Sequence, residues 1–314
     1  MSLFTDTLLI VLPVFLIIGL GFGLKRTGLV ESRFLFQLNR FIFWVALPVL
    51  LFDKISNADF TASFNPLLLF GMVLSTVTVF ILSYAYTLFR GYPPAVRGAF
   101  TQGAFRGHLA FVGLAIAFNA YGEEGLAAAG ILLGFLIPLF NFLAVLTLLL
   151  PQRQAKQKLG ASFFAYQYAF NPLILSSFVG IIWSILDLPT PLVLDKTFGI
   201  LAGMTLPLAL ISIGASFSFT KLRGKIGLVA FSTTIKLVLL PLLTAGILKI
   251  LGVGGMDLAI GLIFAGSPTA TAAYIMAQQL NSDAELSGAI IMLSTLASLS
   301  TFSAMLFLLK AYGM

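Results

Sequence analysis

The sequence predicts an all-α membrane protein of ten transmembrane helices, arranged as two inverted five-helix repeats. Three observations predict it: the solvent that the composition requires, the placement of the basic residues, and the agreement of the two halves when one is shifted onto the other. Of 314 residues, 59% are apolar and only 9% charged, with a mean hydropathy of +1.06. A soluble domain carries roughly 25% charged residues. These polar side chains cannot cover a water-facing surface, so most of the exterior faces lipid. Each span takes about 20 residues, and ten spans with short loops use up the chain, leaving no room for a separate aqueous domain.

Taken in order, the apolar runs bounded by charge or turn residues begin with Leu8–Leu24. That run follows Asp6 without a basic leader or a small-residue cleavage site, and reads as a retained span. Phe34–Phe52, Pro66–Phe89, Gly98–Asn119 and Gly125–Leu150 complete a first repeat over residues 1–150. A polar cytoplasmic linker, 151–167, follows. The second repeat, 168–314, holds Phe170–Leu188, Phe198–Phe219, Ile226–Ile250, Met256–Ala277 and Ala284–Leu309.

Loop charge orients these spans. Lys25, Arg26, Arg33, Arg90, Arg97, Arg153, Lys156, Lys158, Lys221, Arg223 and Lys225 all fall on one side. The other side has only Lys54, Lys196, Lys249 and Lys310, with Glu123, Glu124, Asp187 and Asp195 among its acids. The positive-inside rule puts the first set in the cytoplasm, and therefore both termini on the non-cytoplasmic side of the inner membrane. The net charge of +7 is accounted for in this way, without a basic soluble module for nucleic acid.

A shift of 159 residues aligns the halves without a gap. Pro13 falls on Pro172, Gly21 on Gly180, Leu47-Pro48 on Leu206-Pro207, and Gly107 on Gly266. Matched leucines carry little weight in so apolar a chain, but prolines and glycines each impose a backbone geometry. Five spans per copy is an odd number, so the second copy enters the membrane inverted.

Two spans carry helix breakers at equivalent places. The fourth has Gly103, Gly107 and Gly113 around Arg106 and His108; the ninth has Gly266-Ser267-Pro268-Thr269. Irregular backbone at membrane depth is tolerated only where it is buried or lines a cavity. If both spans break there, they can cross near the midplane and present half-helix N-termini to a bound anion. A packing glycine and an ordinary proline kink are the bland alternatives.

Ionisable groups inside spans are functional candidates by default. Arg106 follows Arg97 by nine residues, a rise of about 14 Å, and Lys236 follows Lys225 by eleven, about 16 Å; both sit near the middle of a core roughly 30 Å thick. No Asp or Glu lies well inside a span, Asp53 being near an outer end. Fixed positive charge at this depth suits an anionic substrate. Arg106 offers a planar fork for a carboxylate, or else ties down carbonyls freed by the break. Arg40 reads as snorkelling to the cytoplasm. Lys236 reads equally as a brace against a neighbouring helix end or as a coupling group, and His108 is a second proton-coupling candidate. Gln102, Ser267 and Thr269 lead the neutral polar candidates because they adjoin the breaks, ahead of Asn39, Asn141, Asn171 and Thr271.

Enzyme chemistry finds no footing. The chain has no cysteine and one histidine, which excludes thiol catalysis, disulfides and multi-histidine metal sites. It has no nucleophile elbow, prenyl-diphosphate motif or Walker loop. No cofactor or metal is expected. The expected partners are a small organic anion and the bilayer, with a homodimer allowed.

The run Gln102-Gly103-Ala104-Phe105-Arg106-Gly107-His108-Leu109-Ala110-Phe111-Val112-Gly113-Leu114 resembles the fourth-span motif of the auxin efflux carrier family. So do Leu38-Asn39-Arg40-Phe41 leading into Ala46-Leu47-Pro48, Asn171-Pro172-Leu173-Ile174, Leu206-Pro207-Leu208-Ala209 with Ile213-Gly214, and Gly266-Ser267-Pro268-Thr269-Ala270 with the later Asp283-Ala284-Glu285. The resemblance covers essentially the whole chain. It implies a compact bacterial member with a scaffold part and a moving transport part, each drawn from both repeats. It also implies a crossover of the fourth and ninth spans, and elevator-type secondary transport of malonate, malate or a similar carboxylate, or an auxin-like acid. By the same resemblance, Gln102, Arg106, Gly107, His108, Gly266, Ser267, Pro268 and Thr269 would form the substrate site. Two departures stand out: His108 where asparagine is usual and Ala115 where proline is usual. Proton or potential coupling is expected, with sodium-coupled symport of the bile-acid type as the alternative and a passive channel as a third reading.

Overall fold

The computed structural model describes residues 3–150, 170–217 and 226–311, and every regular element among them is helical. In chain order these are α1 (Leu3–Arg26), α2 (Ser32–Phe41), a π-helical turn Ile42–Ala46, α3 (Leu47–Ser56), the short α4 (Phe60–Ser63), α5 (Pro66–Phe89) and α6 (Pro94–Phe105). A second π turn, Leu109–Gly113, leads into α7 (Leu114–Leu149); α8 (Pro172–Ile185), α9 (Leu192–Ala215) and α10 (Ile226–Thr234) follow. A third π turn, Ile235–Leu239, precedes α11 (Leu240–Ile250), α12 (Gly255–Gly266), α13 (Ala272–Gln279) and α14 (Ala284–Ala311). The expected linker, with Arg153, Lys156 and Lys158, and the basic loop Lys221, Arg223 and Lys225 lie outside the described residues.

Seven helical stretches among the described residues are long and apolar enough to cross a bilayer; α8 and α12 are apolar but shorter. The chain is a multi-pass integral membrane protein. The expected fourth span is divided between α6 and the helix after it, and the expected ninth between α12 and α13. The fourth and fifth expected spans meet inside α7 at Gly122, whose φ of 62° and ψ of −148° interrupt the helix there; glycine reaches that left-handed conformation at no steric cost. The expected seventh span starts at Leu192, earlier than Phe198. Asp195, which reads as a loop acid in sequence, is instead in the first turn of α9, where a negative charge complements the helix N-terminus.

Two π turns have a common cause. Each precedes a Leu-Pro pair, Leu47-Pro48 and Leu240-Pro241. Proline cannot donate to the carbonyl four residues back, and its ring crowds that carbonyl. Widening one turn accommodates both effects. Lys236 lies in the turn before Pro241.

The chain divides into two compact units. The first comprises residues 1–65, 110–138 and 161–217. In it α1 packs along α9 and α3 along α8. Gly21 lies on the backbone of Ile211, and Gly214 lies on the backbone of Ile18 and Phe22, so a Cβ at either position would strike main-chain atoms. Close approach of this kind is what small residues allow between helices in lipid. Gly180 lies likewise on Ile55 and the Phe52 carbonyl. Between the two contacts, Thr205 Oγ1 donates to the Ala46 carbonyl at 3.1 Å. A cavity of about 320 Å³ in this unit has Lys54 among its lining residues. The Lys54 ammonium bridges Asp53 at 3.0 Å and Glu123 at 3.1 Å.

The second unit comprises residues 66–109, 139–160 and 218–314. Here α5 packs on α6 and α11, α14 on α6 and α13, and α12 on α11. Its core is lined by Phe100, Phe105, Phe264 and Phe302, all fully buried. This packing holds the two helix breaks.

Candidate functional site

Within the second unit, α6 ends at Phe105. Arg106 turns extended at φ −78°, ψ 95°, and its N–H still closes the last helical turn on the Gln102 carbonyl at 3.0 Å. On the other segment α12 ends at Gly266 and Ser267 turns extended at φ −60°, ψ 137°, as a residue before proline must. The freed backbones pair with each other. His108 N–H donates to the Pro268 carbonyl at 2.7 Å, and Ala270 N–H to the Arg106 carbonyl at 3.0 Å, an isolated antiparallel bridge between Gly107 and Thr269. Pro268 has no N–H to offer, but only its carbonyl is needed. The orphan groups that a broken helix leaves are therefore satisfied mutually, as burial requires.

Side chains complete the brace. Thr269 Oγ1 donates to the Gly103 carbonyl at 2.8 Å, and Thr269 N–H donates to Ser294 Oγ at 3.0 Å. Ser267 Oγ donates to the Ile263 carbonyl of its own helix at 2.9 Å. Thr271 Oγ1 lies 3.2 Å from His108 Nε2. All of these except Thr271 are buried.

Three of the sequence-predicted ionisable groups come together here. Arg106 is 8% exposed, His108 7% and Lys236 0%. The Lys236 ammonium donates to the Ala265 carbonyl in the last turn of α12, and a Cβ on Gly107 would come within 3.3 Å of its nitrogen. Lys236 thus braces a helix end, one of the two roles read from sequence. Among the described residues the Arg106 guanidinium ties down no carbonyl. Nη2 donates to Asn141 Oδ1 at 3.0 Å and Nη1 contacts the Met276 sulfur. Among the described residues neither Arg106 nor Lys236 has a carboxylate partner; the ion pairs found there both belong to Lys54. Gln102 is fully buried, its Nε2 3.8 Å from the same Met276 sulfur and its Oε1 without a partner among the described residues.

A buried guanidinium held by one amide oxygen and one thioether is under-satisfied, because it carries five donors and sulfur is a weak acceptor. No cluster of three or more metal-ligating side chains exists among the described residues. The free charge at the breaks is positive, and an anion is the complement of such a site.

Residues 7–164 and 161–306 match the family model described as a membrane transport protein. The chain belongs to this family, the auxin efflux carriers. The carrier is 26% identical over 290 residues, 92% of its own length and 94% of the relative's, to an "Uncharacterized transporter" of Methanothermobacter thermautotrophicus. It is 28% identical over 310 residues, 96% and 95% of the two lengths, to a "Putative malonate transporter" of Rhizobium meliloti. The carrier is a transporter and not an enzyme.

Other polar candidates of the carrier have local structural roles. Asn171 caps α8, accepting from the Leu173 and Ile174 N–H groups at 3.0 and 3.4 Å. Asn39 Oδ1 accepts from Ser212 Oγ at 2.6 Å. Arg40 is exposed, as a snorkelling residue is. Met276 and Ser294 escape sequence reasoning altogether. Neither sits in a motif, and a lone methionine or serine in an apolar helix gives no signal.

Proposed function

We propose that this carrier is a secondary active transporter of a small organic anion, a carboxylate such as malonate or malate or an auxin-like acid, bound at the paired breaks with Arg106 as its clamp. The observation that carries the reading is the buried Arg106 guanidinium, whose acceptors are an uncharged amide and a thioether. A carboxylate would displace the thioether and meet two parallel N–H donors, a geometry that arginine recognises bidentately. Gln102, with an amide oxygen that has no partner among the described residues, supplies an adaptable second contact. The relative whose printed name mentions malonate agrees with this substrate class.

The architecture behind the reading is a ten-helix inverted repeat with the fourth and ninth spans crossing at the midplane. Support comes from the helix bounds, because adding 159 carries α5 close to α10–α11, α6 close to α12 and α14 back onto the part of α7 beyond Gly122. The same shift exchanges the α1–α9 contact with the α8–α3 contact, and it relates Ala46 to its own partner Thr205. The mechanism is elevator-type alternating access, in which the unit that holds the breaks carries the site. The eleven-to-four loop asymmetry sets both termini outside the cytoplasm.

Coupling is to the proton or the membrane potential. Sodium at a broken helix is held by freed carbonyls. Here the Lys236 ammonium already sits on the Ala265 carbonyl beside the breaks, and a second cation there would be repelled. The test is a thermal-shift screen of purified protein against mono- and dicarboxylates, aromatic acids and sodium. At a ligand concentration of about 100 Kd, binding adds about 2.7 kcal/mol to stability. A carboxylate is expected to raise the melting temperature without sodium. Protection that requires sodium establishes the bile-acid type of coupling instead, and no protection by any anion refutes the site.

A further inference from the structure

We propose that the second unit carries a binding site for an anionic phospholipid, with one acyl chain in the groove between α5 and α10–α11 and the headgroup phosphate on Arg90. The groove measures about 400 Å³ and runs along α5 from Val79 to Tyr86 and along the opposite wall from Phe231 to Leu242. Its lining is almost entirely carbon. The two aliphatic hydroxyls it contains are withdrawn: Ser83 donates to the Val79 carbonyl and Thr234 to the Ala230 carbonyl, each on its own helix. A groove that offers no polar group to its occupant, and opens beside Leu82 and Leu242 at 54% and 65% exposure, suits a hydrocarbon chain.

The polar end is built from the same helix. Tyr86 closes the groove against Phe231, ring centroids 4.9 Å apart. Val79, Leu82, Tyr86 and Arg90 recur at helical spacing along one face of α5 and just past its end. Beyond Tyr86 the exposed Arg90 guanidinium interacts with the phenols of Tyr92 and Tyr86, whose ring centroids are 6.2 Å apart. Paired tyrosines at a helix end mark the headgroup level of a bilayer, so Arg90 stands where lipid phosphates are. Two phenols engage at most a minority of its five donors. Among the described residues no carboxylate pairs with it. The remaining fork matches a phosphate bidentately.

In a bilayer the acyl chain gains nothing from leaving water, since it is already in hydrocarbon. The groove therefore places the lipid and Arg90 selects it. One arginine near an anionic surface corresponds to about a fivefold preference.

The test reads the groove itself. The chain's two tryptophans, Trp44 and Trp183, belong to the first unit. With both replaced by phenylalanine, Leu242→Trp reports occupancy in phosphatidylcholine vesicles containing either brominated-chain phosphatidylglycerol or brominated-chain phosphatidylcholine. Half-maximal quenching is expected at about a fivefold lower mole fraction for phosphatidylglycerol. Arg90→Gln should erase that difference, and a reporter at the lipid-facing Leu16→Trp should never show it. Equal curves in the native background, or a preference that survives Arg90→Gln, overturn the proposal. Native mass spectrometry of the unmodified chain and of Arg90→Gln, with the same two lipid headgroups, gives the same contrast without the tryptophan substitutions.

Discussion

Replacing Arg106 separates an anion clamp from a structural arginine. In Arg106→Ala the anion loses a charge-assisted hydrogen-bond pair in a site where the guanidinium is 8% exposed. Each hydrogen bond to a charged group is worth about 1.5–3 kcal/mol, so losing the pair lowers affinity by roughly a hundredfold to ten-thousandfold. The free protein responds differently. Asn141 Oδ1 loses its donor at 3.0 Å, a cost of about 1–3 kcal/mol. Against this, a buried cation without a countercharge disappears, which offsets much of that cost. Unliganded stability should therefore change little while binding collapses. Arg106→Lys retains the charge but not the fork, and should fall between native and alanine. The assay is substrate affinity of purified protein by calorimetry, with gel filtration and unliganded melting temperature measured in parallel. A well-folded Arg106→Ala protein that binds its carboxylate with native affinity would refute the clamp, and with it the reading of the breaks as the substrate site.

Gly214→Ala should lower the melting temperature by several degrees, since its Cβ would fall on the Ile18 carbonyl; overpacking of this kind costs about 1–3 kcal/mol, and an unchanged melting curve would argue against the α1–α9 packing. His108→Asn should preserve transport while flattening its pH dependence between about pH 5 and 8, measured as uptake at fixed membrane potential; an unaltered profile assigns the imidazole to packing beside Thr271. Because the chain has no cysteine, single cysteines at Thr5 and Glu123 should react with an impermeant maleimide on sealed cells and one at Gln157 should not; labelling at Gln157 reverses the orientation.

Much of this was legible from residues whose effects are local. Proline and glycine act on the backbone wherever they stand, so Pro268 and Gly107 announced both breaks, and charge counting put Arg106 and Lys236 deep in their spans. What stayed hidden depends on contacts far apart in sequence. Asn141 and Met276 lie 35 and 170 residues from the guanidinium that they hold, and no periodicity reports such a meeting. Nor did the sequence reveal that the fourth and fifth spans meet at the single residue Gly122, because the polar stretch from Asn119 to Glu124 reads as a loop. The His108 departure from the family pattern looked like a change at the site's face. In the structure its main-chain N–H is part of the bridge to Pro268, a role that any residue except proline would fill.

That bridge has a consequence for how such a carrier changes cargo. The two broken segments are stitched to each other by main-chain hydrogen bonds, reinforced by Thr269 on Gly103. The frame of the site is therefore written in backbone and is largely indifferent to side-chain identity. On the proposed reading of the site, positions such as Gln102 and Met276 can change to suit a longer, shorter or more aromatic acid without unfastening the two half-helices. A lineage that inherits this frame inherits a socket whose contacts can be exchanged one at a time.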